Sequence, residues 1–216
     1  TIEDPIETPM AGLNQMQINR KAGLDFAQGL RAILRSDPDI VMVGEIRDFE
    51  TAQIAIRGAL TGHLVLSSLH TNDSASAITR LVDMGLDAYF VASSVQCVVA
   101  QRLARVLCPH CKLPVDAREG KERLANLGYD HDGDEPTLFA PKGCRKCQNT
   151  GYHGRIGVFE LLLINEEIGK LCVEGASSAQ IKQAAIANGM QTLLADGLSR
   201  AAQGLISIDE VQRVIF

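Results

Sequence analysis

The chain has 216 residues, of which 46% are hydrophobic and 22% charged, with a net charge of −5. That is enough apolar material for the core of one large or two small domains, and an acidic balance without a long basic run argues against nucleic acid as a partner. The longest apolar candidate, 88–107, is interrupted by Gln96, Gln101, Arg102 and Arg105, so it reads as a buried helix and not as a membrane span.

The chain opens on TIEDPIE, which sets Glu3, Asp4 and Glu7 around a proline. Acids at the carboxyl end of a strand in an α/β sheet point into the ligand crevice. There they orient or deprotonate an attacking water, or hold metal-bound waters; a solvated acidic turn would have the same composition. From 24 to 35, Phe26, Leu30, Ile33 and Leu34 recur at helical spacing, with Arg31 and Arg35 on another face, and Asp37-Pro38 stops the helix. Ile40, Val41, Met42 and Val43 then run into Gly44 and Glu45, a buried strand delivering one carboxylate to the top of a sheet. NTP-hydrolysing proteins place a magnesium-organising acid this way, yet no GxxxxGK[ST] phosphate loop occurs in these residues.

Asp48 is placed to cap a helix with Phe49, Ala52, Ile56 and Leu60 on one face, ended at Gly62. Residues 64–69 form a second apolar run, read as a buried strand with His70 at its carboxyl end. A histidine there either contacts a γ-phosphate or is a satisfied structural residue. A serine nucleophile at Ser67 or Ser68 is disfavoured, because no GxSxG elbow exposes it. Asn72 or Asp73 caps the next helix and Gly85 closes it. Strands alternating with helices predict a parallel α/β sheet.

The composition changes at Cys108. Residues 112–143 are polar, carry Gly120, Gly128, Gly133, Pro136 and Pro141, and read as an insertion between CPHC at 108–111 and CRKC at 144–147. Each CxxC turns two thiolates toward one point, and two such knuckles supply four soft ligands. Cys108, Cys111, Cys144 and Cys147 therefore read as a closed tetrahedral zinc site of structural type, with iron, two disulfides or four free thiols as the other readings. His110 is not needed, since four thiolates fill the shell. The pairing favours a reducing compartment, and Cys97 and Cys172 stand alone in apolar surroundings. Beyond Gly151 come a strand over 155–163 and helices over 178–188, 190–203 and 207–214. The expected domains are 1–107, 108–150 and 151–216.

TIEDPIE, DPDIVMVGEIRD and TGHLVLSSLHTND, in that order, resemble the Asp box, Walker B and His box of the secretion ATPase superfamily. LCPHCK and GCRKC followed by GYHGRIGVFELL are similar to the tetracysteine module of its type II secretion and type IV pilus assembly members. The resemblance implies part of a RecA-like core, with a zinc module and a small, mainly helical C-terminal domain. It places the phosphate loop upstream of TIEDPIE, so the chain is expected to be the C-terminal part of an ATPase and inactive by itself.

By the same resemblance, Glu45 organises magnesium and water, Glu3 and Glu7 are candidates for polarising water, and His70 contacts the γ-phosphate. Asp4, Arg31, Arg35, Arg47 and Arg80 complete the expected nucleotide-contacting set, the arginines acting at subunit interfaces. Surface arginines such as Arg31 and Arg35 read equally as a solvated basic face. The implied cofactors are ATP, Mg2+ and Zn2+. The implied partners are a homo-hexamer and the inner-membrane secretion platform, and the implied location is cytoplasmic, peripheral to the inner membrane. GRIGVFELLLINEE favours secretion over pilus assembly. The reading from another class is a non-catalytic zinc-binding interaction module, which nucleotide binding by the full-length protein would separate from an ATPase.

Overall fold

The computed structural model describes residues 1–129 and 137–216, so Gly133 and Pro136 of the expected insertion lie outside the described residues. In chain order the elements are β1 (Ile2–Glu3), β2 (Met16–Gln17), α1 (Phe26–Leu34), β3 (Ile40–Val43), α2 (Phe49–Leu60), β4 (Leu64–Ser67), α3 (Ser74–Asp83) and α4 (Ala88–Ser94). They continue as β5 (Cys97–Leu107), β6 (Leu113–Pro114), α5 (Ala117–Asn126), β7 (Phe139–Ala140), β8 (Tyr152–Leu163), α6 (Glu166–Val173), α7 (Ser178–Ala187), α8 (Leu193–Ala202) and α9 (Ile208–Ile215). Among the described residues no helix is long and apolar enough to cross a membrane.

Two compact units arise, one from 1–98 with 162–187 and the other from 99–161 with 188–216. This division differs from the expected boundaries at 107 and 150. Helices α6 and α7 pack on α4 and α3 of the first unit, whereas α8 and α9 share a core with the cysteine-bearing segment. Helical periodicity shows that a helix has an apolar face, not which distant surface that face covers.

The first unit is a four-stranded sheet in the order β2-β1-β3-β4, parallel throughout, with Val41 opposite Val65 and Val43 opposite Ser67. Ile2, Leu30, Val41 and Val43, all fully buried, join Ile18, Phe26 and Ala55 in one apolar cluster. The expected helix starts are present: Asp48 accepts the Thr51 N–H at 2.8 Å and Asp73 the Ser76 N–H at 2.9 Å. Each leaves one fewer orphan donor in the first turn. Of residues 64–69, expected to be a buried strand, Leu64–Ser67 form β4 at the edge of this sheet, with Leu64 and Leu66 each 49% exposed.

The second unit departs most from the sequence reading. Residues 88–107 are not one helix: α4 ends at Ser94, and β5 pairs with β8 in a two-stranded sheet. Along β5, Val99, Gln101, Leu103 and Arg105 are exposed while Val98, Ala100, Arg102, Ala104 and Val106 are more covered. That is a period of two, hidden by the polar residues that fall on both faces. The polar insertion also holds a helix, α5, capped by Asp116 and buried through Leu124 and Gly120. Leu124, Leu138, Val158, Leu198, Ile206 and Val211 belong to this unit's core.

A buried carboxylate holds α9 in place. Glu210, 1% exposed, accepts the backbone N–H of Arg105 at 2.8 Å and both guanidinium groups of Arg105 and Arg213, at 2.7 and 2.5 Å. Arg105 also lies 4.1 Å over the Tyr152 ring. Burial alone would raise the Glu210 carboxyl, but the bonds from Arg213 and Arg105 hold it down at about 2, against an ordinary 4.5. A depressed folded-state pKa means that this contribution is complete above pH 4.5 and is lost as pH falls toward 2. Glu210→Gln is expected to cost about 2–3 kcal/mol near neutrality, the worth of charge-assisted bonds to a buried acceptor. It should also flatten the acid limb of stability in that window. Thermal melts from pH 7 to 2 check this; an unchanged acid limb would show that Glu210 carries none of it.

Candidate functional site

Three loops leave the carboxyl edge of the parallel sheet, after β1, β3 and β4, and each carries a residue singled out above. Their closeness is set by backbone first. Gly44 N–H bonds to the Ile2 carbonyl at 2.8 Å. A Cβ at Gly44 would lie 3.2 Å from that oxygen and 3.4 Å from Glu3 Cα, so glycine lets β1 approach β3 this closely. On the other side, Ile46 N–H bonds to the Ser68 carbonyl at 3.0 Å, and Ser68 Oγ donates to the Gly44 carbonyl at 2.6 Å. The loop carrying Glu45 is thus tied to its neighbours on both sides.

These ties bring Glu45 and His70 together: His70 Nε2 lies 3.2 Å from Glu45 Oε2. Arg47 grips the same carboxylate through two bonds, Nε to Oε2 at 2.5 Å and Nη2 to Oε1 at 2.6 Å. The Arg47 guanidinium, and after it His70, hold the Glu45 carboxyl below its ordinary value, so this group is an anion at neutral pH. The Glu45 side chain is 13% exposed and that of His70 84% exposed, so the histidine faces solvent over a largely covered acid. A carboxylate in this position can organise a cation or a water, and an exposed imidazole beside it can donate to a phosphate oxygen.

The other acids have their own partners, although Asp4 also lies close enough to Arg47 to act on its charge. Glu3 accepts from Thr1 Oγ1 at 2.5 Å and Gln15 Nε2 at 3.2 Å, and these bonds lower its carboxyl, with the Glu7 backbone N–H assisting. Glu7 itself is exposed. Asp4 pairs with Arg20 at 3.5 Å, a partner that no sequence motif indicated. Beside it a cavity of about 420 Å³ is lined by residues including Arg20, Asp25, Arg47, Asp48 and Glu50.

The arginines separate into two groups. Arg47 is engaged within its own chain by Glu45, with its side chain still 54% exposed. Arg31 is paired with Glu50. Arg35 lies just past the end of α1, and Arg80 in the last turn of α3. Helices that follow parallel strands run back from the carboxyl edge, so Arg35 and Arg80 stand at the edge far from Glu45.

In the second unit the four expected cysteines converge. Their Sγ atoms all lie within 4.8 Å of one another, with Cys108–Cys144 at 4.0 Å and Cys111–Cys147 and Cys144–Cys147 at 3.8 Å. Tetrahedral coordination at about 2.3 Å per thiolate requires neighbouring sulfurs about 3.8 Å apart, so the set has the size of a zinc shell. Each CxxC is a tight turn closed by a backbone bond, Cys111 N–H to Cys108 O and Cys147 N–H to Cys144 O, both at 3.2 Å. Burial would raise the Cys147 thiol, but N–H donors from Cys144 and Gly151 lower it to about 6, while burial pushes Cys111 up to about 12. The Cys147 thiol therefore ionises more readily than an ordinary one, and Cys111 would need a bound cation to do so. His110 is exposed and lies 3.5 Å from Lys146 Nζ, outside the sulfur set.

The model of the family described as type II/IV secretion system protein matches residues 1–213. The chain is 46% identical, over 99% of its length, to the type II secretion system ATPase E of Vibrio cholerae serotype O1, and covers 42% of that protein. It is 49% identical, over 98% of its length, to the type IV pilus assembly ATPase PilB of Thermus thermophilus, and covers 24% of it. Among solved structures it is similar to the pilus retraction motor PilT with bound ADP, at 28% identity and a TM-score of 0.69, over 98% of this chain and 50% of that one. The Legionella pneumophila ATPase DotB shares the fold, at 23% identity and a TM-score of 0.67, over 98% of this chain and 49% of that one.

Proposed function

The chain belongs to the type II/IV secretion system protein family, and from that premise we propose that the whole protein is an ATP-hydrolysing motor that powers protein secretion through pseudopilus assembly, or pilus assembly. The chain spans between a quarter and a half of the curated relatives it matches, 24% and 42% in the two cases above. The observation that best supports the reading is the Glu45–His70 pair at the carboxyl edge, 3.2 Å apart and tied by backbone on both sides. ATP and Mg2+ would supply the phosphoryl group and the charge neutralisation. Glu45 is assigned to cation and water, His70 to the γ-phosphate, and Glu3 or Glu7 to water. Zn2+ would hold the four cysteines and supply no chemistry, because four thiolates leave no open position.

The finer assignment is to type II secretion, supported by the GRIGVFELLLINEE wording. Relatives named for secretion and for pilus assembly match at 46% and 49% identity, so a pilus assembly motor is the second reading. We assign the protein to the cytoplasm, at the inner-membrane secretion platform.

A motor of this kind needs hydrolysis in one subunit to move the next, which favours a closed ring of heterologous contacts; six subunits is the family expectation. Arg31, Arg35 and Arg80, exposed on their helices, are assigned to a neighbour's phosphates, which a planar, permanently charged fork suits. The experiment is ATP turnover by the full-length protein, alone and in mixtures. Arg31→Ala/Arg35→Ala subunits are expected to be inactive alone and to regain partial turnover when mixed with Glu45→Gln subunits. Mixtures that form rings and stay inactive would place these arginines outside the relay.

A further inference from the structure

The His70 loop is fixed at its far end as well, and by a helix distant in sequence. Asp73, three residues beyond His70, splits its carboxylate between two partners. Oδ1 accepts the Ser76 N–H at 2.9 Å and closes the N-terminus of α3; Oδ2 accepts from Lys182 Nζ at 2.9 Å, across 109 residues of sequence. Thr71 Oγ1 donates to the Asp73 carbonyl at 3.1 Å, which stiffens the span between. Lys182 is carried on α7, whose Ile181 and Ala185 are buried and which packs on α3 and α6. The two charged side chains are 33% and 23% exposed, so their attraction is less screened than that of a surface pair. Burial would raise the Asp73 carboxyl, yet the bonds from Ser76 and Lys182 keep it below its ordinary value.

We propose that Lys182 is a positioning residue for the nucleotide site: through Asp73 it sets the His70 loop against Glu45, so that the placement of α7 and the state of the γ-phosphate are coupled. This rests on the ATP-hydrolysing reading above. The physical argument is one of two anchors on a short span. His70 meets Glu45 at one end, Asp73 meets Lys182 and α3 at the other, and four consecutive residues cannot shift at one end without loading the other. Loss of the Lys182 contact leaves Asp73 free to cap α3 but lets the loop sample positions in which His70 leaves Glu45. Discrete contacts of this sort, not distance alone, are what carry coupling.

The test uses the full-length protein with ATP and reads kcat, KM and Tm. Lys182→Met keeps the aliphatic stem, and Asp73→Asn keeps the helix cap, since asparagine caps as well as aspartate. Each is expected to lower kcat about three- to tenfold with KM for ATP unchanged. Lys182→Arg should restore most of the loss, and the double variant should be no worse than either single one, as for two halves of one contact. If both variants keep wild-type kcat while Tm falls, the pair only cements α7 to α3 and the inference is overturned. If wild-type protein shows no ATP turnover, the functional reading fails and takes this one with it, whereas with an active wild type the variants test Lys182 alone.

Discussion

Glu45→Gln in the full-length protein is expected to lower ATP turnover by about a hundredfold or more, with nucleotide affinity and fold unchanged. The amide is nearly isosteric with the carboxylate. It keeps one oxygen to accept from Arg47 or His70, so the loop ties through Gly44, Ile46 and Ser68 stay in place. What it loses is the charge. In this structure that charge is held by the Arg47 fork and by His70, and the carboxyl is kept ionised by those neighbours. An uncharged group in the same place cannot organise a divalent cation or orient a water for attack. Steady-state hydrolysis with a fluorescent-nucleotide binding titration separates the two effects. Near-normal kcat would mean that Glu45 is a structural acid satisfied by Arg47.

Metal removal is expected to have the second large effect, on stability and not on chemistry. The purified protein should carry about one zinc per chain, by the four-ligand logic of a closed thiolate site. Stripping it, or replacing Cys111 or Cys147 by serine, should lower Tm by about 10 °C or more, given the several kcal/mol that a structural zinc contributes to a domain of this size. The sulfur set joins two turns, one before the polar segment and one after it, which are otherwise linked by few contacts such as Cys108 N–H to Gly151 O at 2.9 Å. Gly151 shows how tightly the second is built, since a Cβ there would fall 2.5 Å from Pro141 Cβ while its N–H donates to Cys147 Sγ. The unit also has its own apolar core around Leu198, Ile206 and Val211, so loss of metal should loosen it without erasing it. Elemental analysis and calorimetry decide; a metal-free protein with an unchanged Tm would refute the site.

The sequence by itself determined those features in which a residue type acts on its immediate neighbours or in which a repeat of spacing has one structural meaning. Asp48 and Asp73 are helix caps because a short carboxylate before an apolar-periodic segment reaches the N–H groups of the first turn. Strand β3 with Glu45 at its end, the parallel order implied by alternation of strands and helices, and the convergence of Cys108, Cys111, Cys144 and Cys147 were all legible for the same reason. The family was legible too, through the resemblance carried by TIEDPIE, DPDIVMVGEIRD and TGHLVLSSLHTND in that order.

The tertiary structure alone decided what depends on contacts between distant segments. Residues 97–107 form a strand because β8 pairs with them; in isolation their apolar and polar residues satisfy a helical reading as well. Helix α6 carried a capping signal, Asn165 followed by Glu166 and Glu167. It is short, and its burial depends on α4, so its apolar spacing by itself was too brief to mark it. The grip of Arg47 on Glu45 was not legible either, because two residues' separation does not say that the side chains meet. The pairs Asp4–Arg20, Arg105–Glu210 and Asp73–Lys182 span 16, 105 and 109 residues. No local rule links such residues; the sheet order and the docking of α7 and α9 bring them within bonding distance, and for the partly buried pairs Arg105–Glu210 and Asp73–Lys182 the lower dielectric makes the contact count.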